Sequence, residues 1–407
     1  LPEPLTLEAA LATASNPDHY EVSLIDQKVT EVLALSAIEA SDLGVNIDIK
    51  GRLRKVGPSS IAETDEDNDS AASLLVSKPI YDFGVTSARM QTLELQHQVL
   101  LFEKQQIIDQ RRLLIMEKYF DVLNADNEYI SENENLAIGF IRYDRARENL
   151  ELGSSSEIDV ARLQADYERI RQLTLQAQNR QRLTRMILAE AMGYSQQLPS
   201  LLESPEVDID KPVSDDVEAM INTALTSSNE SKLLNLKSRV AESAVQQADT
   251  INSPRLDFEL EFSSYERETS TRDDWRASIY FDVPLYSSAR SSGLELAQVR
   301  YRKSLSEISQ YESEIRLRVL QYWQSIEQYR LIAQGAEVEQ RFRDMYLDRS
   351  RAEYELEFRT DLGDAMVQFS RARTERIKAL HAFELAYNRL KLLVGESITQ
   401  GYSNGTQ

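Results

Sequence analysis

Leu256-Asp257-Phe258-Glu259-Leu260-Glu261-Phe262-Ser263 alternates apolar and polar residues without a break, and Trp275-Arg276-Ala277-Ser278-Ile279-Tyr280-Phe281-Asp282-Val283 does so again. A period of two marks a β-strand with one dry face and one wet face. Upstream, Leu43, Val45, Ile47 and Ile49 alternate with Gly44, Asn46, Asp48 and Lys50. The run through Ala72, Leu74 and Val76 completes a set of four and is the least regular, because Lys78 falls on its apolar side. Each run spans roughly 10 to 12 residues, close to the ~9 to 11 with which a tilted strand crosses a bilayer. Trp275 and Tyr286 stand at opposite ends of the fourth run, where the aromatic girdles of a membrane barrel belong. A half-buried antiparallel sheet in a soluble protein would show the same alternation.

Four strands cannot close a barrel, and open sheet edges are not tolerated in lipid. If these strands span a membrane, several copies of the chain must share one barrel. Bacterial barrels begin at about eight strands, so counting allows either a dimer or a trimer.

The segments between the strands are helical and long. From Val85 to about Glu151 there is no Pro and only Gly139, and from Leu294 to about Glu357 only Gly335 interrupts. A helix of ~65 residues reaches on the order of 100 Å, so each needs partners along its length. Residues 156 to 192 and 361 to 394 supply half of that partner. In the second, Leu362, Met366, Phe369, Ile377, Leu380, Phe383, Tyr387, Leu390 and Val394 keep a coiled-coil seam. The preceding helices, roughly Leu5 to Ala40 and Asp215 to Thr250, supply the other half. The expected fold class is mainly α with a β-barrel part: antiparallel coiled-coil helices plus four membrane strands per protomer.

The chain also repeats itself, with a period near 205 residues. Pro79-Ile80-Tyr81-Asp82-Phe83-Gly84 answers Pro284-Leu285-Tyr286-Ser287-Ser288, Leu150-Glu151-Leu152 answers Tyr354-Glu355-Leu356, and Met192-Gly193 answers Val394-Gly395. The expected organisation is a first repeat over 1–197, with strands near 43–54 and 72–83, and a second over 213–395, with strands near 254–265 and 275–286. Pro199, Pro205 and Pro212 keep helix out of a linker at 198–212. Residues 396–407 read as a mobile tail.

Composition excludes several functions. The formal charge is −21 with a pI near 4.7, which opposes binding to nucleic acid. No cysteine is present, so disulfides, thiolate metal sites and a cysteine nucleophile are ruled out. Phosphate loops, nucleophile elbows and zinc-protease motifs are missing too, so no catalytic residue is nominated and the chain reads as a conduit, not an enzyme. No metal or cofactor is expected. His19, His97 and His381 lack ligand spacing and read as surface or seam residues. Asp65, Asp67 and Asp69 resemble the start of a calcium loop, but Ser70 replaces the turn Gly and Val76 the closing Glu, so they read as a solvated loop. No run of 18 apolar residues offers a transmembrane helix. Residue 1 is Leu rather than Met, which fits removal of an export signal and equally a chain trimmed at its start.

Taken in order, Leu5-Thr6-Leu7-Glu8-Ala9-Ala10 with Asn16-Pro17, the Pro79 to Gly84 turn, and Leu152-Gly153 followed by Ile158-Asp159-Val160 resemble the TolC family of outer-membrane efflux and secretion channels, over residues 5 to 395. The resemblance implies a homotrimer with a shared 12-stranded barrel in the outer membrane of a Gram-negative bacterium and an α-helical tunnel through the periplasm. It implies the exit duct of a tripartite efflux pump, partnered by a periplasmic adaptor and an inner-membrane pump. The alternatives are the outer-membrane component of a type I protein secretion system, with an ABC exporter as partner, and a soluble coiled-coil scaffold. It also implies a periplasmic aperture closed through Asp159, Tyr354 and Arg359. The chain departs from the family at Glu357-Phe358, where a Gly-containing turn is usual, and at Gly363, where an acidic residue is common.

Overall fold

The computed structural model describes residues 2–58, 60–250, 252–285, 288–356 and 361–398. The element order is α1 (Leu7–Ala12), a 3-10 turn, α2 (Tyr20–Ser41), β1 (Asn46–Arg52), β2 (Ala71–Tyr81), α3 (Val85–Glu151), α4 (Glu157–Met192), α5 (Val217–Ser227), α6 (Asn229–Thr250), β3 (Arg255–Tyr265), β4 (Trp275–Asp282), α7 (Ser288–Glu355) and α8 (Leu362–Leu393). The long helices α3 and α7 run 67 and 68 residues. No helix among the described residues is long and apolar enough to cross a membrane, which says nothing of strands.

Two helices expected to be continuous are broken. The first divides at Asn16-Pro17, where the Pro cannot donate to a preceding carbonyl. The second divides at Ser228, whose ψ of 143° is extended and whose hydroxyl accepts the Ser231 amide. A serine that caps the next segment competes with the helix interior.

The chain forms two compact units, and each draws on both halves of the sequence: 1–24, 104–231 and 311–407 in one, 25–103 and 232–310 in the other. In the first, α1 packs Leu7, Ala10 and Leu11 against Ile115, Met116, Tyr119 and Phe120 of α3 and Leu188 and Met192 of α4. The Tyr119 hydroxyl lies 2.7 Å from the Leu5 carbonyl oxygen and 2.6 Å from that of Glu203, with one proton to donate between them. Leu5 itself bridges to the linker at Leu202. The linker is therefore stitched to the core rather than loose. It is also held at its far end, where Arg330 donates to the carbonyls of Ile209 and Lys211, and Lys211 pairs with buried Glu384 at 2.7 Å.

Two expectations need correction here. His19 is no surface residue: it is buried against Arg111, whose guanidinium also donates to the carbonyls of Ala14 and Ala191. Burial, then the neighbouring Arg111 charge, lowers its pKa. His381 takes the seam placement, buried between α8 and α3, stacked on Phe120 at 4.3 Å, with its Nδ1 2.7 Å from Asn124 Oδ1. Burial pulls its pKa down to about 4. The expected mobile tail at 396–407 begins too early, because Ile398 is buried in the core of this unit. Residues 399–407 lie outside the described residues.

In the second unit, Leu95 and Val99 of α3 meet Leu233 and Leu236 of α6. Small polar residues let the helices approach: Thr92 Oγ1 lies 2.9 Å from Ser243 Oγ, and Ser304 donates to Ser238 at 3.2 Å. This unit also holds most of α2, the start of α7 and a four-stranded antiparallel sheet in the order β1-β2-β3-β4.

Candidate membrane sheet and candidate aperture

Strand register decides which side chains share a face. Ile49, Leu74, Phe262 and Trp275 stand in one row across the four strands, and Ile47, Val76, Leu260 and Ala277 in the next on the same side. The opposite face carries Asp48, Leu75, Glu261 and Arg276 in one row and Asn46, Ser77, Glu259 and Ser278 in another. One face is thus dry across the full width of the sheet and the other wet. The dry face is uncovered: Ile49 is 83% exposed, Ile279 66% and Phe281 62%. Both edge strands, β1 and β4, lack an outer neighbour among the described residues.

The strands are shorter than their alternation suggests. β1 begins at Asn46 because the Gly44 amide turns back to the Ser41 carbonyl, which takes Leu43 and Val45 out of the ladder. β4 stops at Asp282, just before Pro284, which has no amide to donate. Trp275 keeps its expected place at the strand start, whereas Tyr286 lies outside the described residues.

The far end of the sheet holds aromatics that simple alternation missed. Pro79 pairs with Asp257 and Tyr81 with Leu256, so Ile80 is an extra residue, a bulge. The bulge reverses the parity of β2 and turns Tyr81 onto the dry face, in the row of Leu256 and Phe281. Phe83, at φ 52°, packs on Tyr81 with ring centres 4.7 Å apart and lies 6.4 Å from the Phe281 ring. Asp82 then accepts the amides of Gly84 and Thr86 and caps α3. A Pro inside a strand was the available signal, since Pro there marks an edge or a bulge.

The opposite end carries the loops 53–70 and 266–274, tied together through Asp69. That carboxylate is not solvated, as the reading of an open acidic loop required. It is buried beneath Arg54 and Arg272, one from each loop, and the Arg272 bond holds its pKa below the ordinary carboxylate value against the effect of burial. Glu63 adds a second tie, accepting from the amide and hydroxyl of Ser270.

The candidate aperture belongs to the other unit, where α3 turns into α4 and α7 into α8. Ser156 caps α4: its hydroxyl accepts the Asp159 amide at 3.2 Å and donates to the Asp159 carboxylate at 2.6 Å. Tyr354 is exposed in the last turn of α7. Among the described residues Asp159 bonds to Ser156 and lies 4.0 Å from Arg162, and it does not reach Tyr354. Arg359 lies outside the described residues.

A contact that sequence reasoning did not nominate does join the two hairpins. Arg142 of α3 donates to both carboxylate oxygens of Asp361, at 2.8 and 2.7 Å, while Asp361 caps α8 through the Asp364 amide. Burial works to raise the Asp361 pKa, and the bonds from Arg142 and Asp364 outweigh it and hold the group below its ordinary value. Asp-x-x-Asp at a helix start was the visible half of this pair. Arg142 is 219 residues away and carried no signal.

No protein-family model matches the chain, and no curated relative matches it. Solved structures do. A membrane protein from Pseudomonas aeruginosa superposes with a TM-score of 0.77 at 13% identity, covering 98% of this chain and 92% of its own. The CmeC outer membrane channel of Campylobacter jejuni gives 0.75 at 16% identity, covering 96% and 85%. The open state of the MtrE outer membrane channel of Neisseria gonorrhoeae gives 0.72 at 12%, covering 98% and 91%. Likeness at this level of identity is likeness of fold, and the fold is the one that the TolC resemblance implies.

Proposed function

We propose that this chain, with the fold of the TolC-type outer-membrane channels as its premise, is one protomer of a passive exit duct in the outer membrane of a Gram-negative bacterium. The observation that carries the reading is the sheet: an apolar face interrupted by Lys78, a mainly polar face opposite and two edges open among the described residues. A dry face exposed on this scale needs a cover, and open edges need partners. Lipid supplies the first. Neighbouring copies supply the second, and three copies of four strands make a closed barrel of 12, as the resemblance implies.

The helices would form the periplasmic tunnel, fed by an inner-membrane pump through an adaptor. The duct performs no chemistry of its own. Its wet face holds Asp48, Asp257, Glu259, Glu261 and Asp282 against Lys50, Arg52, Arg255 and Arg276, and in a chain of net charge −21 this favours cations.

The aperture is closed through Asp159, Tyr354 and Arg359. Arg suits the task because its planar fork engages a carboxylate or carbonyls at two points and stays charged. Such exposed contacts contribute ~0.2 to 1 kcal/mol each, so three copies opening together sum to roughly 1 to 3 kcal/mol.

Detergent extraction followed by mass measurement and planar-bilayer recording tests the reading. A trimer with stepwise, cation-preferring conductance is expected, and Arg359→Ser with Tyr354→Phe is expected to raise its open probability without changing assembly. Recovery of a monodisperse protein from a detergent-free cytosolic extract would overturn the channel reading. Unchanged conductance in the double variant would remove only the gate assignment.

A further inference from the structure

We infer that the dry face of the sheet carries, at the end where the helices attach, a binding site for one anionic glycerophospholipid. Lys78 pairs with its phosphate, and Tyr81, Phe83 and Phe281 hold its glycerol and upper acyl region. The inference rests on the membrane reading and adds to it a lipid class and the side chain that selects it.

Lys78 is the anomaly from which the site is argued. It stands on the dry face, in the row of Phe258 and Ile279, and is exposed there. No carboxylate pairs with it among the described residues, because its ladder neighbours Asp257 and Glu259 occupy the opposite face. An ammonium on a lipid-facing surface is costly unless it reaches the interface and finds an anion.

Its position permits both. Tyr81, one step further along β2, leads into α3, and β1, β3 and β4 meet their helices at the same end. That end is the periplasmic boundary of the barrel, where the adjoining leaflet is phospholipid. A lysine stem of four methylenes spans the short distance from the strand to the headgroup layer.

The aromatics give the site its shape. Without the bulge at Ile80, Tyr81 would face the lumen; with it, Tyr81 joins Lys78 on the dry face. Phe83 is held at φ 52°, a backbone region that an aromatic residue rarely adopts, and there it bridges the Tyr81 and Phe281 rings. A bulge and a positive φ within four residues place the Tyr81 ring on the face of Lys78, the one cation on that face among the described strand residues, and pack the Phe83 ring against it. Rings with an apolar body and a polar edge settle at the ester level of a bilayer.

The test uses the full-length protein in bilayers, with Tyr81→Trp as reporter, Trp275→Phe to remove the exposed tryptophan at the other end of the sheet, and Trp323 retained as a constant background. Vesicles of phosphatidylcholine are titrated with dibrominated phosphatidylglycerol or dibrominated phosphatidylcholine, and quenching gives the relative affinity of the two lipids at position 81. Phosphatidylglycerol, the anionic lipid of the two, is expected to be favoured by about fivefold, the factor one lysine contributes beside anionic lipid. Lys78→Gln abolishes the preference and Lys78→Arg retains it. Equal quenching by both lipids in the reporter protein overturns the site while leaving the membrane reading intact. Absence of quenching by either lipid overturns the membrane reading and the site with it.

Discussion

Phe120 and Ile279 are large apolar residues on regular elements, yet Phe120 is 1% exposed inside the first unit and Ile279 is 66% exposed on the sheet of the second. Around Phe120 the chain covers itself: α1, α3, α4, the linker and Ile398 close on one another. Around Ile279 the chain arranges apolar rows in register and leaves them open. The first region completes its own burial, and the second hands the task to its surroundings. Their stabilities should therefore answer to different variables, the one to side-chain volume and the other to lipid and neighbours.

The largest expected effect sharpens that contrast. Phe120→Ala should cost about 3 to 5 kcal/mol in thermal or denaturant unfolding of the detergent-solubilised protein, as truncation of a buried aromatic does. Ile279→Ala should cost less than ~0.5 kcal/mol in the same measurement. Equal losses would break the comparison. A charge reverses the ranking: Leu260→Lys, on the dry face at the middle of β3, should impair bilayer insertion by about 2 to 4 kcal/mol. Glu259→Gln on the wet face of β3 should insert normally and lower cation preference, read as a shift in reversal potential.

Protonation separates the regions next. Unfolded histidine binds a proton as pH falls through 6.5, whereas buried His381 stays neutral down to about 4. The unfolded state binds more protons across that window, so stability present above pH 6.5 is lost as the pH falls toward 4, by up to roughly 3 kcal/mol. Melting temperature against pH should show this slope, and His381→Gln should flatten it. The smallest effect concerns the hairpins. Arg142→Gln removes an exposed pair worth ~0.2 to 1 kcal/mol, so faster amide exchange at the start of α8 is expected, with the Phe120 core unaffected. Unchanged exchange at Leu362–Met366 would show that Arg142 does not order the hairpin.

What was legible in the sequence follows from how local each signal is. Alternation at Leu256–Ser263 and the breaker-free run after Val85 are properties of neighbouring residues, and both appear in the structure with small shifts at their ends. Asp69 and His19 were misread for the complementary reason. Their environments come from Arg272 and Arg111, which stand 203 and 92 residues away, and no local pattern distinguishes a buried ion pair from a solvated charge. The Tyr81 cluster sits between these cases, because its bulge is local but reverses a parity that alternation assumes constant. Of the aperture residues, Asp159 and Tyr354 could be located, and the partner that Asp159 adopts is the capping serine beside it.

The stitch between Leu5 and Leu202 also has a meaning in time. Tyr119 fastens to Leu5 across 114 residues, and Ile398 must arrive before the same core is complete. Contacts so distant along the chain form only after the long loops between them have closed, which makes their assembly slow. A chain emerging from a ribosome therefore cannot seal this core until Ile398 has been made. Until then it remains an open thread, the form in which a polypeptide passes through a translocation pore. The architecture that makes the finished core self-sufficient also postpones its closure until both repeats have been synthesised.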